Sequence, residues 1–338
     1  MTLAPLQRSG FRPAPRKPVV VGDSSLVAFE PLAGDGARPA RVRPLIPSLS
    51  LEEWAAADRS ELRAALLRCG ALLLRGFNRV DTEGLERFVE ATFGGLLEYD
   101  NRSTPRTRVA GRVFTSTEYP ADQSIPQHNE MSYTDAWPRH LCFACLVAAP
   151  SGGETPISDS ARVLARIPEP VRERFERDGI MYVRNFGHGL DLSWQEAFQQ
   201  DEPGAVDEYC RAHGIQTEWL ADGKLRTRQV SQATTVHPET GARVWFNQAH
   251  LFHVSSLPGE VRSELERQFA PEDLPRNAFF GDGSPIGDAE LEAVRAAYAE
   301  EEIAFPWEAG DVLLIDNIQM GHGRRPYRGA RKVVVTMS

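Results

Sequence analysis

A chain of 338 residues, 41% hydrophobic and 25% charged, can bury a large core and suits one elaborated soluble domain. Its formal net charge of −9 argues against a general nucleic-acid binder and against adhesion to anionic membranes. Its apolar stretches, Leu141–Pro150 among them, fall far short of a membrane span.

Residues 1–30 contain four prolines together with Arg8, Arg12, Arg16 and Lys17, and no apolar run of signal-peptide type. They read as an N-terminal tail, with 31–338 as a single domain. Ser48–Trp54 has the form of a capped helix start. Glu61–Leu67 continues helical until Gly70 stops it. Ala71–Leu74 predicts a short apolar strand, Leu85–Thr92 a helix, and Val113–Thr115 a strand. A strand follows near Gln127–Met131. The continuous apolar run Leu141–Ala148 predicts a strand buried on both faces. It carries Cys142 and Cys145, which read as core thiols; with Cys69 and Cys210 they suit a reducing cytoplasm. Ser151–Gly153 is a turn, and Ser160–Arg166 and Pro170–Asp178 predict helices. Residues 187–240 are polar and read as a helical and loop insertion. Arg243–Phe246, Ile303–Phe305, Val312–Ile315 and Lys332–Met337 complete the strands. Many strands with a few flanking helices predict a mainly β fold, a double-stranded β-helix or jelly roll.

Three residues suggest a metal site. His128 and Glu130 lie two apart in IPQHNEMSY, and alternate side chains of a strand share a face. His322 follows the apolar run Val312–Ile315. Two histidines and one carboxylate on one side of an ion leave positions open for a co-substrate and O2, the facial arrangement of non-haem Fe(II) oxygenases. The same ligands suit zinc, so a jelly-roll zinc hydrolase or isomerase is the competing reading. With 8 His and 47 acidic residues, chance alone yields about one His-x-acid triplet. A second one exists: His237-Pro238-Glu239, in a turn-like HPETGA segment read as a surface loop.

Arg331 opens the strand RKVVVTM and alternates with Val333, Val335 and Met337. If that face is interior, Arg331 is a buried cation in need of an anion; if not, it lies outside with Lys332.

Four blocks resemble, in order, those of the taurine dioxygenase / clavaminate synthase-like family of Fe(II)- and 2-oxoglutarate-dependent oxygenases: SIPQHNEMSY, APSGGETPISDS, HPETGARVWFNQAH and WEAGDVLLIDNIQMGHGRRPYRGARKVVVTM. The resemblance runs from about Ala71 to the C-terminus and is closest to the branch found beside nonribosomal peptide synthetases, which resembles aspartyl β-hydroxylases. It implies Fe(II) on His128, Glu130 and His322, with the distal carboxylate of 2-oxoglutarate on Arg331 and Thr155. It further implies O2 as oxidant and hydroxylation of an unactivated C–H, with desaturation as the variant outcome. Glu130 disfavours the halogenating relatives, which have a small residue there. The family's second arginine, four residues after the first, is matched by Val335. That departure implies an uncharged substrate group there, as in an amino acid tethered to a peptidyl carrier protein rather than a free one. Asn129, Asn247 and His250 are candidates for the substrate side.

Overall fold

The computed structural model describes residues 26–33, 38–78, 80–97, 107–116 and 119–338. The expected tail lies outside these as far as residue 25, and its end belongs to the fold: β1 (Val27–Pro31) pairs antiparallel with β2 (Ala40–Pro44). Helix α1 (Leu51–Ala57) starts where the Ser50 hydroxyl accepts from the Glu53 N–H, and α2 (Arg59–Cys69) stops at Gly70. Strand β3 (Ala71–Leu74) follows. Asp81 caps α3 (Thr82–Phe93) through the Gly84 N–H. Four strands come next: β4 (Arg108–Ala110), β5 (Val113–Thr115), β6 (Ile125–His128) and β7 (His140–Val147). After β8 (Ser151–Gly152) and β9 (Ile157–Asp159) come α4 (Ser160–Arg166), α5 (Glu169–Asp178) and β10 (Ile180–Phe186).

The polar segment 187–240 holds more than helix and loop. Beside α6 (Trp194–Phe198) and α7 (Pro203–Ala212) it supplies β11 (Gln216–Trp219), β12 (Leu225–Ser231) and β13 (Thr234–Val236). The strand β12 is disguised by its polarity. Leu225, Thr227 and Gln229 point inward, while Arg226 and Arg228 on the other face pair with Glu218, and with Asp273 and Glu272. The segment has its own small core, where Trp194 meets Trp219 edge-on at 5.4 Å.

The remaining elements are β14 (Arg243–Trp245), α8 (Ala249–Phe252), α9 (Gly259–Gln268), β15 (Arg276–Phe280) and α10 (Asp288–Glu300). Last come β16 (Val312–Asp316), β17 (Met320–Arg324), β18 (Tyr327–Arg328) and β19 (Lys332–Met337). The strand expected at Ile303–Phe305 reduces to a single bridge between Ile303 and Ile157.

The large sheet has the order β1-β2-β3-β16-β7-β19-β5-β4, and a smaller one has the order β6-β17-β9. A third, β11-β12-β10-β15, carries the segment 187–240. Central strands of the large sheet are buried on both faces although the pairing there is antiparallel. Leu72, Leu74, Cys142, Leu314 and Val334 face the core shared with α1–α3. Ala71, Leu73, Phe143, Leu313, Val333 and Val335 face the interior of the roll. Apolar continuity along these strands therefore reflects cover on both sides, and each residue's parity sets which core it joins. Cys142 and Cys145 are buried free thiols, and burial pushes Cys145 up to about 11. None of the described helices is long and apolar enough to cross a membrane.

Candidate metal centre

Strands β6 and β17 run antiparallel, with His128 and His322 directly opposite each other. That register brings together residues far apart in sequence, with ring centroids 4.7 Å apart. The Nδ1 of His128 lies 2.8 Å from the Pro126 carbonyl. Donation there keeps the proton on Nδ1 and leaves the Nε2 lone pair for a metal.

Glu130 arrives differently from what strand alternation predicts. Strand β6 ends at His128, and Glu130 sits in the turn that follows, next to Met131 at φ 56°. The Asn317 side chain, in the connection between β16 and β17, grips this turn. The Glu130 N–H donates to its Oδ1 at 2.7 Å, and its Nδ2 donates to the Glu130 carbonyl at 3.0 Å. The Glu130 carboxylate then stands 3.8 Å from Nε2 of His322.

One ligand atom each from His128, Glu130 and His322 lie within 4.8 Å of one another. Ligands at about 2.1 Å from one ion, at right angles, sit about 3 Å apart, so a small closure of this trio would seat a divalent ion. Two nearly buried ligands and one half-buried ligand, in a donor set of two imidazoles and one carboxylate, fit Fe(II) with open positions.

Beside this trio lies a small cavity lined among others by His128, His322, Phe143, Thr155, Arg324 and Arg331. Arg331 lies inside rather than beside Lys332 on the surface, which decides between the two readings of the last strand. Its Nε donates to the Gly153 carbonyl at 2.9 Å, and Nη1 reaches Ser116 Oγ at 3.4 Å. No carboxylate among the described residues forms an ion pair with it. Burial, and next the nearby Arg324 charge, pull its pKa down to about 10. Gly153 makes this placement possible: at φ 77°, a Cβ there would lie 2.9 Å from Arg331 Cδ. The Thr155 Oγ1 accepts from Trp307 Nε1 at 3.1 Å, so its own proton is left to donate to a different acceptor.

Four other expected residues are not brought to this cavity. Asn129 is fully buried, and its Nδ2 donates to Asn317 O and Ser160 Oγ. Asn247 donates to the Ala233 carbonyl and accepts from the Ala249 N–H. His250 packs on Tyr298 with its Nε2 2.9 Å from Gln127 O. Val335 does point to the interior face, but into the apolar core. The segment at His237 is the expected surface turn, exposed at residues 238–241, but the histidine itself turns inward. His237 is fully buried and sits 2.9 Å from Asp316, with Arg139 on both.

Arg324, which the sequence places in the loop after His322 with no ligand role, lies instead at the end of β17 and lines the cavity. It lies two residues after His322 on β17, so strand parity alone could have placed it at the cavity. Its guanidinium donates to the carbonyls of Tyr119, Pro120 and Gln123, fastening that loop over the site. Burial lowers its pKa as well.

Comparison with known families now decides the class. The model of the taurine catabolism dioxygenase TauD/TfdA family matches residues 29–337. This chain belongs to the TauD/TfdA family. Fe(II), 2-oxoglutarate and O2 are the cofactor and co-substrates of that class, and the zinc hydrolase and isomerase readings fall away. A dapdiamide synthesis protein, DdaC, from Enterobacter agglomerans is 41% identical over 307 residues, covering 88% of this chain and 93% of that protein. A clavaminate synthase-like protein from Arabidopsis thaliana is 34% identical, covering 86% of this chain and 89% of that protein. Among solved TauD-like folds, PvcB, an Fe, alpha-ketoglutarate dependent oxygenase from an isonitrile synthetic pathway, superposes with a TM-score of 0.54 at 14% identity. That match covers 93% of this chain and 91% of PvcB.

Proposed function

We propose that this protein is a natural-product oxygenase that hydroxylates an unactivated C–H of an amino acid or of an aminoacyl group held on a carrier protein. The observation that carries the reading is one cavity with two chemically distinct ends. At one end His128, Glu130 and His322 converge; at the other Arg331 and the Thr155 hydroxyl stand without an anionic partner among the described residues. A biosynthetic setting is supported by the 41% identity to DdaC.

When bound, Fe(II) and 2-oxoglutarate supply the oxidising chemistry: O2 is consumed, 2-oxoglutarate gives succinate and CO2, and one oxygen atom goes to substrate. The residues of the chain place and shield the reactants. His128, Glu130 and His322 hold the ion by one side and leave the other side open. Arg331 takes the distal carboxylate in its planar fork, with the Thr155 hydroxyl as second donor. Trp307 fixes that hydroxyl by donating to it. Phe143 packs on His322 at 5.2 Å and gives the cavity an apolar wall. Retention of Glu130 leaves no small-residue gap for a halide.

The test is anaerobic loading with Fe(II) and 2-oxoglutarate, then O2, with succinate measured. A panel of amino acids, each offered free and carrier-loaded, is followed by mass. A gain of 16 mass units coupled to succinate is expected (one oxygen atom). His128→Ala, Glu130→Ala and His322→Ala are each expected to stop succinate formation while remaining folded. Succinate production that survives in all three would overturn the reading.

A further inference from the structure

On the reading of His128, Glu130 and His322 as the metal site, we infer that Asn317 is a positioning residue that sets the geometry of the ligand carboxylate. Glu130 lies past the end of its strand, so no sheet ladder holds its backbone. Both of its main-chain polar groups are satisfied by one side-chain amide, that of Asn317. The same Nδ2 also donates to Pro138 O at 2.8 Å, and the Asn317 carbonyl accepts from Asn129 Nδ2 at 2.6 Å. The Asn317 N–H donates to Arg139 O at 2.9 Å. Asn317 is itself fully buried, on the connection that leads five residues later to His322. One residue therefore ties the carboxylate-bearing turn to the strand of the second histidine.

The identity of the residue follows from this geometry. The asparagine amide offers an acceptor to the N–H and, on its other arm, a donor to the C=O, within one short side chain. Aspartate would set an oxygen against the Glu130 carbonyl, and serine would reach at most one of the two groups. Partners that orient metal ligands from outside cost about 10- to 100-fold in metal affinity or activity when lost.

The experiment uses the full chain with Asn317→Asp, Asn317→Ser and, as an equally buried amide away from the trio, Asn247→Asp. Co(II) and anaerobic Fe(II) titrations give metal affinity. The visible charge-transfer absorption of the Fe(II)–2-oxoglutarate complex reports ligand geometry, and circular dichroism reports folding. Asn317→Asp is expected to weaken metal binding about 10- to 100-fold and to shift the absorption band. Asn317→Ser should fall between it and the parent. Asn247→Asp should lower only the melting temperature. Folded Asn317 variants with metal affinity within about twofold of the parent and an unmoved band would overturn the inference. So would failure of both variants to fold at saturating metal, since Asn317 would then belong to the fold alone. A parent chain that binds no metal would instead refute the proposed function.

Discussion

Replacing Arg331 by methionine separates the two ends of the cavity. Arg331 is largely buried, and its pKa falls to about 10, well below the usual arginine range, mainly because its cation has been taken out of water. Each pKa unit corresponds to about 1.4 kcal/mol, so holding the charge there costs the folded chain up to ~3 kcal/mol. The cost is fully present below pH ~10 and fades as the folded form loses its proton above that. Methionine removes the cost but gives up the bonds to Gly153 and Ser116, about 1 kcal/mol each. Arg331→Met should thus be as stable as the parent or more stable, by about 1 kcal/mol or roughly 2 °C. Co-substrate binding should move oppositely. A charged hydrogen bond contributes about 1.5–3 kcal/mol, so loss of the fork should weaken 2-oxoglutarate about 10- to 150-fold. Arg331→Lys keeps the charge but not the paired donors, and should lose at least about tenfold. The assay is calorimetric melting with and without 2-oxoglutarate at saturating metal, alongside the 2-oxoglutarate dependence of succinate formation. The reasoning fails if Arg331→Met keeps its ligand-induced rise in melting temperature, or if its ligand-free form is several kcal/mol less stable than the parent.

Gly153→Ala, strained at φ 77° and crowding Arg331, should raise the 2-oxoglutarate KM well above any fall in kcat; steady-state kinetics decide, and a purely kcat effect would contradict the placement. Glu239→Ala should bind iron as the parent does. His237→Ala should also keep its iron affinity but lose roughly 2–4 kcal/mol in urea denaturation, because Asp316 loses one buried partner while Arg139 and Gln319 remain. Burial holds His250 down to about 3, so the unfolded chain takes up a proton below pH ~6.5 that the folded chain refuses. Stability should fall as pH drops from there toward 3, by up to about 1.4 kcal/mol per pH unit for this residue. His250→Gln keeps a donor for Gln127 O, and should flatten the dependence of the urea midpoint on pH between about 4 and 6.

Much of this protein was decided locally. The apolar run of β3, the caps at Ser50 and Asp81, the stop at Gly70 and the alternation that puts Arg331 on the same strand face as Val333 all follow from neighbours within a few residues. The three members of the candidate metal site were also legible in the sequence, because side chains of that chemistry stood beside apolar strands. What tertiary structure alone decided is who faces whom. The pairing of His128 with His322 is a register between strands far apart in sequence. Glu130 reaches the trio through a turn gripped by Asn317 rather than by strand alternation. His237 looked like a loop residue because its partner Asp316 comes from a different strand. Asn129, Asn247 and His250 stand beside the metal motifs in sequence, yet buried backbone groups claim their polar atoms. A buried main-chain carbonyl must be satisfied by whatever donor packs against it, and sequence proximity does not reveal which donor that is.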